Sequence, residues 1–473
     1  MNYRIWATAI CLLFGLGLLS PNAHADLKEY YYQRYLKSLR PIPKNLNTVS
    51  SLYNQKIDPS NPADERTFTQ RYYINSEAAQ GPKSPVLFYI CGEATCEADS
   101  LEYGAIVAWA KKLGAHRVAL EHRYYGKSQP FSKMTPDNLQ YLKMEYALED
   151  LASFERFAIL KYNLPGPWIA IGGSYPGSLS AFYHQRYPEL TVGALASSAP
   201  VQARANFEEY DLAVSLAAGP DCAQEMREVV SKIEQSLKNK ASLESYKIMF
   251  DAQEVRDPVD FLYVVADMAA VAIQYGNRDY FCNSIQTATN PVKGYADAGK
   301  ELFRRFGITA VGDSSQGAES ENPNDYLSSF GMRAWYYQSC TEFGYWQIAH
   351  HDPKVSVRSS LIDLNFHQQL CKRLFGIDKP VDDAATNRKF YQLLLESKTK
   401  NILFTNGSVD PWSYLSISHL LGNDTNPQTS AFVIDGSAHC ADLGTPKSTD
   451  STALKKARSL FEQLTAGWAN LSE

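Results

Sequence analysis

Short apolar strands alternate with helical patterns between residues 85 and 200, and this alternation limits the fold more than any other feature of the sequence. Strands joined through helices run parallel, and a parallel sheet is covered by helices on both faces. The sequence therefore predicts an α/β fold around a mostly parallel sheet. Apolar runs of strand length occupy residues 86–90, 116–121, 168–171 and 192–197, and helical patterns occupy residues 101–113, 143–162 and 176–187.

The pattern changes after residue 200. The next part of the chain is mainly helical and rich in aromatic residues, and strand patterns return only at residues 402–405 and 431–434, before a last helical pattern at 452–468. The simplest account is one α/β domain interrupted by a helical insertion. We expect the α/β domain to comprise residues 26–203 and 396–473, and a helical cap domain to comprise residues 204–395.

The amino terminus has the features of a secretory signal peptide. Arg4 precedes an apolar run from Ile5 to Leu19, and the small residues of Ala23-His24-Ala25 follow. We expect residues 1–25 to be the signal peptide, so that the mature chain is secreted or periplasmic, or lysosomal or extracellular in a eukaryote. No later segment is apolar for long enough to span a bilayer.

The composition argues against several classes of partner. The formal net charge is −5, and the charges form no long runs of one sign, which argues against nucleic acid and anionic membrane surfaces. With 45% hydrophobic and 21% charged residues, the chain has the composition of a soluble globular protein. The sequence leaves the oligomeric state open, with a homodimer as one alternative.

The chain has eight cysteines, of which Cys11 lies in the signal peptide. The odd number that remains leaves at least one free thiol in an oxidising compartment. The spacings do not form the paired C-x-x-C sites typical of structural zinc, so we expect no metal site. Spacing alone does not fix the connectivity. We expect Cys340 to pair with Cys371, Cys222 with Cys282 and Cys91 with Cys96, and Cys440 to be free.

One serine lies where a buried strand pattern meets a helical pattern. In the segment Gly172-Gly173-Ser174-Tyr175-Pro176-Gly177 the chain must turn sharply, which exposes the hydroxyl above the edge of the sheet. The usual motif has glycine two positions after the serine, where Pro176 stands here, and proline is tolerated in a first helical turn. The segment predicts Ser174 as a nucleophile, with a glycine-rich turn and an idle serine as the alternative.

A serine nucleophile needs a base and an acid, which follow it along the chain in the order acid, then histidine. Asp410 comes after the strand pattern at 402–405, and His439 comes after the one at 431–434. Both therefore emerge at the edge of the sheet where Ser174 emerges. Asp410 is predicted to fix the tautomer of His439, which moves the proton. Asp435 is the rival acid, but it is too close to His439 in sequence to occupy a separate strand end.

The other histidines have weaker support as a base. We expect His350 and His351 to form a solvated surface pair, and His419 to lie within a helix. We expect His122 and His184 to be structural or at the surface.

The remaining parts of a hydrolytic site are also predicted from position. The backbone N–H of Tyr175 is expected to hold an oxyanion together with that of Gly92 or Glu93, at the end of an early strand, where a plain tight turn is the alternative. Cys440 is adjacent to His439 along the chain and is expected to be a small buried thiol rather than a nucleophile.

Five segments, taken in order, resemble one family of peptidases. They are Glu121 to Ser128, Gly172 to Gly177, Trp335 to Glu342, Asn406 to Trp412, and Ala438-His439. Together they are similar to the S28 serine peptidases. The resemblance implies an α/β-hydrolase fold with a helical cap between the nucleophile and acid segments, cleavage of peptides near a terminus, often beside proline, and the triad Ser174, Asp410 and His439 without a metal or organic cofactor.

The resemblance also implies residues of a substrate pocket. Trp412 and Tyr345 take positions near the pocket for the residue before the cut. Proline-preferring members have a large apolar residue shortly after the nucleophile, whereas this chain has Ser178. That difference puts a proline preference in doubt, since such fit is worth only about 1–3 kcal/mol. Glu93 is a candidate partner for the free amino group of a substrate, which would favour an aminopeptidase.

The leading hypothesis is a secreted serine exopeptidase that hydrolyses peptides through an acyl-enzyme at Ser174. One alternative is a carboxylesterase or lipase, because fold and triad alone do not choose between acyl substrates. The other is a non-catalytic binding protein on the same scaffold, which the presence of all three triad residues disfavours.

Overall fold

A central eight-stranded sheet organises the protein, which the computed structural model describes for residues 47–324 and 331–471. The predicted signal peptide, residues 1–25, lies outside the described residues. The strands are β1 (Val49–Lys56), β2 (Thr67–Asn75), β3 (Val86–Ile90), β4 (His116–Leu120), β5 (Trp168–Gly173), β6 (Thr191–Ser197), β7 (Arg204–Asn206), β8 (Gly344–Trp346), β9 (Ile402–Gly407) and β10 (Ser430–Ile434). The central sheet has the order β1-β2-β4-β3-β5-β6-β9-β10, and β7 pairs with β8 separately.

Strand direction follows from the connections. β2 runs antiparallel to β1 and to β4, and every neighbouring pair from β4 to β10 in the central sheet is parallel. Parallel neighbours need crossover connections, and helices supply them here. A mostly parallel sheet in this order, with a serine at the turn after β5, has the α/β-hydrolase fold that the sequence predicts.

Helices alternate with the strands up to β6 and dominate the chain between β6 and β9. In chain order the α-helices are α1 (Ala105–Leu113), α2 (Pro136–Leu139), α3 (Met144–Tyr162), α4 (Tyr175–Arg186), α5 (Glu209–Ala218), α6 (Pro220–Ser236), α7 (Lys240–Met249), α8 (Pro258–Gln274), α9 (Arg278–Gln286), α10 (Pro291–Phe306), α11 (Ala310–Asp313), α12 (Met332–Gln338), α13 (Leu364–Phe375), α14 (Asp383–Lys389), α15 (Tyr391–Leu394) and α16 (Thr452–Trp468). Helices α5 to α15 form the inserted segment.

Each face of the central sheet has its own apolar core, because successive strand residues point to opposite faces. Val86 and Phe88 of β3 belong to the cluster that packs against α3 and α4. Leu87 belongs to a second cluster with α1 and α16, where the rings of Trp109 and Phe461 lie 4.5 Å apart. The first cluster continues into buried residues of α6, α8 and α10. The inserted helices therefore share a core with one face of the sheet.

The disulfide bonds confirm the expected connectivity. Among the described residues the pairs are Cys91–Cys96, Cys222–Cys282 and Cys340–Cys371, and Cys440 is free. Two of the three bonds link elements of the inserted segment. Disulfide bonds are typical of chains that fold in an oxidising compartment. Separately, the part of the chain described contains no helix with the length and apolarity needed to cross a bilayer.

Two of the expectations from the sequence are wrong, and the sequence does not predict one hairpin. The helix expected from residue 101 begins at Ala105, because residues 98–101 form a short 3-10 turn and Gly104 turns the chain with a φ of 81°. His419 lies in a turn rather than in a helix. The β1–β2 hairpin is not predicted, because β1 is largely exposed and lacks an alternating apolar pattern.

A buried ion pair fixes the chain that follows β4. The guanidinium of Arg123 donates to the two carboxylate oxygens of Asp150, in α3, at 2.6 and 2.7 Å, and neither side chain is exposed by more than 3%. The other N–H groups of Arg123 donate to the backbone oxygens of Lys56, Ile57 and Tyr141. Arg123 therefore joins the end of β1, the chain after β4 and α3.

Replacing one member of this pair should be strongly destabilising. In Asp150→Asn the Arg123 guanidinium stays buried without its counter-charge, and we expect the free energy of unfolding in denaturant to fall by about 3–5 kcal/mol. Asp279→Asn, which removes the exposed partner of Arg278, is the matched control and should change the unfolding midpoint little. Equal effects of the two substitutions would show that burial does not determine the strength of the Arg123 pair.

Candidate active site

The turn between β5 and α4 places Ser174 in a strained backbone conformation. Its φ of 62° and ψ of −135° are rare for residues other than glycine and cost about 1–3 kcal/mol. The Ser174 N–H donates to the carbonyl of Ser197, the last residue of β6, at 2.8 Å. Such strain persists only where the surrounding structure enforces it. In this fold it turns the serine hydroxyl outward at the carboxyl edge of the sheet.

Close backbone contacts explain the glycines around this turn. A Cβ atom on Gly172 would lie 2.1 Å from the carbonyl oxygen of Pro176, and one on Gly173 would lie 2.5 Å from a methyl carbon of Leu443. Pro176 lies in the first turn of α4, where no amide donor is lost. Its ring also approaches Gly92 so closely that a Cβ there would lie 2.2 Å from Pro176 Cγ. The segment after β3 can thus approach the turn only because residue 92 is glycine.

His439 and Asp410 meet at the same edge of the sheet. The Nδ1 atom of His439 lies 2.9 Å from both carboxylate oxygens of Asp410, and both side chains are buried. Because a carboxylate only accepts, Nδ1 carries the proton and Nε2 of the neutral ring is free of it. Burial lowers the pKa of His439, but the Asp410 carboxylate and Cys440 raise it, and the net pKa lies well above the usual imidazole value. The rival acid, Asp435, is exposed.

The chain around His439 is anchored to the end of β6, where Ser174 is also held. The Cys440 N–H donates to the hydroxyl of Ser198 at 2.8 Å, and Cys440 Sγ lies 3.8 Å from the Ser197 carbonyl that accepts the Ser174 N–H. The buried carboxylate of Asp442 accepts from the hydroxyls of Ser197 and Thr405 at 2.5 and 2.8 Å. The segment 440–442 is thereby fixed across β6 and β9, next to the Ser174 turn.

Glu93 follows β3 and lies close enough to His439 for the two charges to interact. Burial raises the pKa of Glu93, whereas its own backbone N–H and His439 lower it. The carbonyl of Glu93 accepts from the N–H of Gly331 at 3.1 Å, which joins this loop to the start of α12. The candidate oxyanion donors at Tyr175 and at Gly92 or Glu93 thus come from two segments that touch through Pro176 and Gly92.

A cluster of buried aromatic side chains lies beside His439. The ring of Trp412 lies 6.5 Å from that of His439 and 5.6 Å from that of Tyr345, whose hydroxyl donates to the Pro200 carbonyl. The ring of Tyr345 stacks on that of Phe343, with the ring centroids 4.4 Å apart. The structure therefore brings together the two pocket residues that the sequence resemblance implies. Ser178, one turn of α4 after Ser174, is 1% exposed, and its hydroxyl has no hydrogen-bond partner among the described residues.

Comparison with known proteins decides the family. The family profile described as serine carboxypeptidase S28 matches residues 55–461. The chain belongs to the S28 family. It is 39% identical to a probable serine protease of Arabidopsis thaliana over 385 residues, which cover 78% of this chain and 76% of that protein. The S28 assignment makes the protein a serine-type peptidase, a hydrolase of peptide substrates.

Two mouse proteins are also similar to this S28 chain. It is 28% identical to the thymus-specific serine protease of Mus musculus, covering 88% of this chain and 86% of that one. It is also 28% identical to the lysosomal Pro-X carboxypeptidase of Mus musculus, covering 89% of each. The similarity therefore extends over most of each chain.

The inserted segment of the S28 chain contributes site residues that the sequence does not reveal. Gln274 lies at the end of α8. Its backbone carbonyl accepts from the backbone N–H of His439 at 3.0 Å, and its side-chain oxygen accepts from Trp412 Nε1 at 2.9 Å. The next residue, Tyr275, has its ring 6.1 Å from that of His439. No motif marks either residue, because their role arises only when α8 packs against the end of the sheet.

A buried hydrogen-bond network reaches the residue after Ser174. The side chain of Gln338 donates to the hydroxyl of Tyr175 at 2.8 Å and accepts from that of Tyr125 at 2.7 Å. His122 lies 3.1 Å from the same Tyr175 hydroxyl and is buried, with the structural role expected for it, and burial lowers its pKa to about 4. Glu342 accepts from Gln338 at 3.3 Å and from the Met144 N–H at 2.8 Å. The end of α12 is thereby connected to the Ser174 turn.

Glu342 should make the stability of this S28 chain depend on pH. Burial raises its pKa to about 7, although the Met144 N–H and Gln338 oppose this. The unfolded chain loses this proton near pH 4.5, so the folded state binds the extra proton between pH 4.5 and 7, and stability falls as pH rises through that window. Between pH 4 and pH 8 we expect the free energy of unfolding of wild type to fall by about 3 kcal/mol relative to that of Glu342→Gln.

The measurement is denaturant unfolding of both proteins across that range. The difference between the two unfolding free energies isolates residue 342 from the other titrating groups. A difference that is independent of pH would show that folding leaves the pKa of Glu342 unchanged.

Proposed function

We propose that this serine peptidase is an exopeptidase that acts through Ser174, His439 and Asp410. The observation that carries the proposal is the pair of 2.9 Å contacts between His439 Nδ1 and a buried Asp410, at the strand ends where the strained Ser174 turn emerges. A positioned imidazole of this kind is what converts a serine hydroxyl into a nucleophile.

In the proposed reaction, Ser174 Oγ attacks the carbonyl carbon of the scissile peptide bond while His439 Nε2 takes the hydroxyl proton. Asp410 holds the imidazole in the required tautomer and stabilises its protonated form. The N–H of Tyr175 and that of Gly92 or Glu93 stabilise the oxyanion. His439 then gives its proton to the leaving amine. Water hydrolyses the acyl-enzyme by the same steps, which returns Ser174 to its starting form, and no metal or cofactor takes part.

The aromatic cluster beside His439 supports a proposed pocket for the substrate residue before the cut, which we call the aromatic pocket. Trp412 and Tyr345 supply apolar walls, and Phe343 and Trp335 extend them. Such walls suit an apolar side chain or the ring of proline, the residue for which the similar mouse Pro-X carboxypeptidase is named. Ser178 is small and buried in α4, where proline-preferring members have a large apolar residue, so proline is proposed as one accepted residue rather than a required one.

Cleavage near a terminus is supported by the way the inserted segment covers the site. We treat residues 204–395 as a cap on an α/β domain of residues 26–203 and 396–473. Gln274 and Tyr345, both in the cap, contact residues around His439. A site covered in this way favours chain ends over the middle of a folded protein. The three disulfide bonds support a secreted, periplasmic or lysosomal location, to which the leader of residues 1–25 would direct the chain.

The triad is tested by substituting each of its members. We expect Ser174→Ala to lower kcat by about 10⁶ and Asp410→Asn by about 10⁴, the second because the imidazole tautomer is no longer held. Asp435→Asn, at the exposed rival carboxylate, is the control and should leave kcat unchanged. A fluorophosphonate probe should label wild type and not Ser174→Ala. Absence of labelling in wild type would favour a binding protein, and cleavage of aryl esters without cleavage of peptides would favour an esterase.

The role of Glu93 is tested by comparing peptide ends. If its carboxylate binds a substrate's amino group, Glu93→Gln should lower kcat/KM for peptides with a free amino terminus by about tenfold to a hundredfold and should change N-acetylated peptides much less. Glu97→Gln, at an exposed carboxylate of the same loop, is the matched control. Equal losses on free and acetylated peptides would exclude recognition of the amino group by Glu93.

A further inference from the structure

Three metal-ligating side chains meet in the inserted segment, outside the site around Ser174. Glu208 immediately precedes α5, and His350 and His351 follow β8. One ring nitrogen of each histidine and one carboxylate oxygen of Glu208 lie within 4.8 Å of one another. Within residues 47–324 and 331–471 this is the one group of histidine, cysteine and acidic side chains with such spacing.

Hydrogen bonds hold these residues in place. The His351 N–H donates to Glu208 Oε2 at 3.0 Å, and Nδ1 of the same histidine lies 2.9 Å from that oxygen. The His350 N–H donates to the carboxylate of Asp211 at 2.9 Å, and the two imidazole rings stack with their centroids 4.3 Å apart. The two chain segments are therefore positioned by contacts that do not depend on an ion.

The donor set matches a divalent cation of the zinc type. Two imidazoles and one carboxylate are ligands that zinc accepts, with bonds of about 2.0–2.2 Å, which separate neighbouring tetrahedral ligands by about 3.3 Å. The 2.9 Å distance between His351 Nδ1 and Glu208 Oε2 is close to that separation. His350 Nδ1 accepts the Asp352 N–H at 3.1 Å, so a metal bond to His350 would replace that hydrogen bond.

The surroundings favour a cation and leave it a route from solvent. Asp211 contributes a second carboxylate through its contact with His350. Arg358, whose charge interacts with that of Asp211, is itself paired with Asp267 at 2.7 Å. The side chain of His351 is 74% exposed, so an ion can reach it from water.

We propose that Glu208, His350 and His351 form a surface site for Zn²⁺ or a similar divalent transition-metal ion, with water completing the coordination. The ion ties the start of α5 to the chain after β8, where the Phe207 N–H already donates to the Trp346 carbonyl at 3.1 Å. Because the Phe207 ring lies 5.5 Å from that of Trp412, the ion braces one side of the aromatic pocket.

The test is a calorimetric titration near neutral pH. The full-length chain is first freed of metal by chelation and is then titrated with ZnCl₂. Wild type should bind one ion saturably at this site, and His351→Ala and Glu208→Gln should each weaken binding at least tenfold. His419→Ala removes an exposed histidine elsewhere and should leave affinity unchanged. Absence of saturable binding in wild type, or equal affinity in wild type and His351→Ala, would overturn the proposal.

A second pair of variants separates this site from the catalytic residues. His439 and Cys440 are themselves metal-binding side chains, so Cys440→Ser is titrated in parallel. If Cys440→Ser loses the bound ion while His351→Ala keeps it, the ion occupies the site around Ser174, and the proposal is wrong. Peptidase activity of His351→Ala and Glu208→Gln in chelator should match that of wild type, which shows that both variants are folded.

Discussion

The parallel register of β5, β6 and β9 is the constraint on which the site depends. Gly173 is paired with Ser197, and Ser197 is paired with Thr405, so β5 and β6 end level with one another and β9 ends at Gly407, just beyond them. The residues that leave those ends, Ser174 among them, must therefore emerge side by side. A shift of register along any one strand would move its contribution by several ångströms. The pairing of the backbones therefore determines where the side chains of the site lie.

The histidine is positioned from both sides of the site. From the sheet, Asp442 binds the hydroxyls of Ser197 and Thr405 and so fixes the chain just after His439. From the inserted segment, the Gln274 carbonyl accepts the His439 N–H. Neither contact involves the imidazole, which remains free to bond to Asp410. Backbone anchoring thus fixes the chain around His439 without competing for its ring nitrogens.

The sequence predicts the central strands and the candidate triad because both leave local signals. Strands buried on both faces are continuous apolar runs, and the residues after them are polar, so Ser174 and Asp410 can be assigned to strand ends without coordinates. The β1–β2 hairpin lacks that signal because β1 is exposed on an edge. Gln274 lies in no marked segment, and Gln338 lies in one, Trp335 to Glu342, that does not reveal its partner. Each is an ordinary helical glutamine whose partner, His439 or Tyr175, lies more than a hundred residues away, and only tertiary packing gives it a role.

The network around Gln338 connects the inserted segment to the Ser174 turn through buried hydrogen bonds. Tyr175 supplies a candidate oxyanion donor through its backbone, while its side chain is held by Gln338 of the insertion and by His122 of the sheet domain. A rigid lid movement would have to break these buried bonds and leave hydroxyl groups unsatisfied, at about 1–3 kcal/mol each. The end of α12 and the Ser174 turn are thus linked through buried hydrogen bonds, and any movement that separated them would carry this cost.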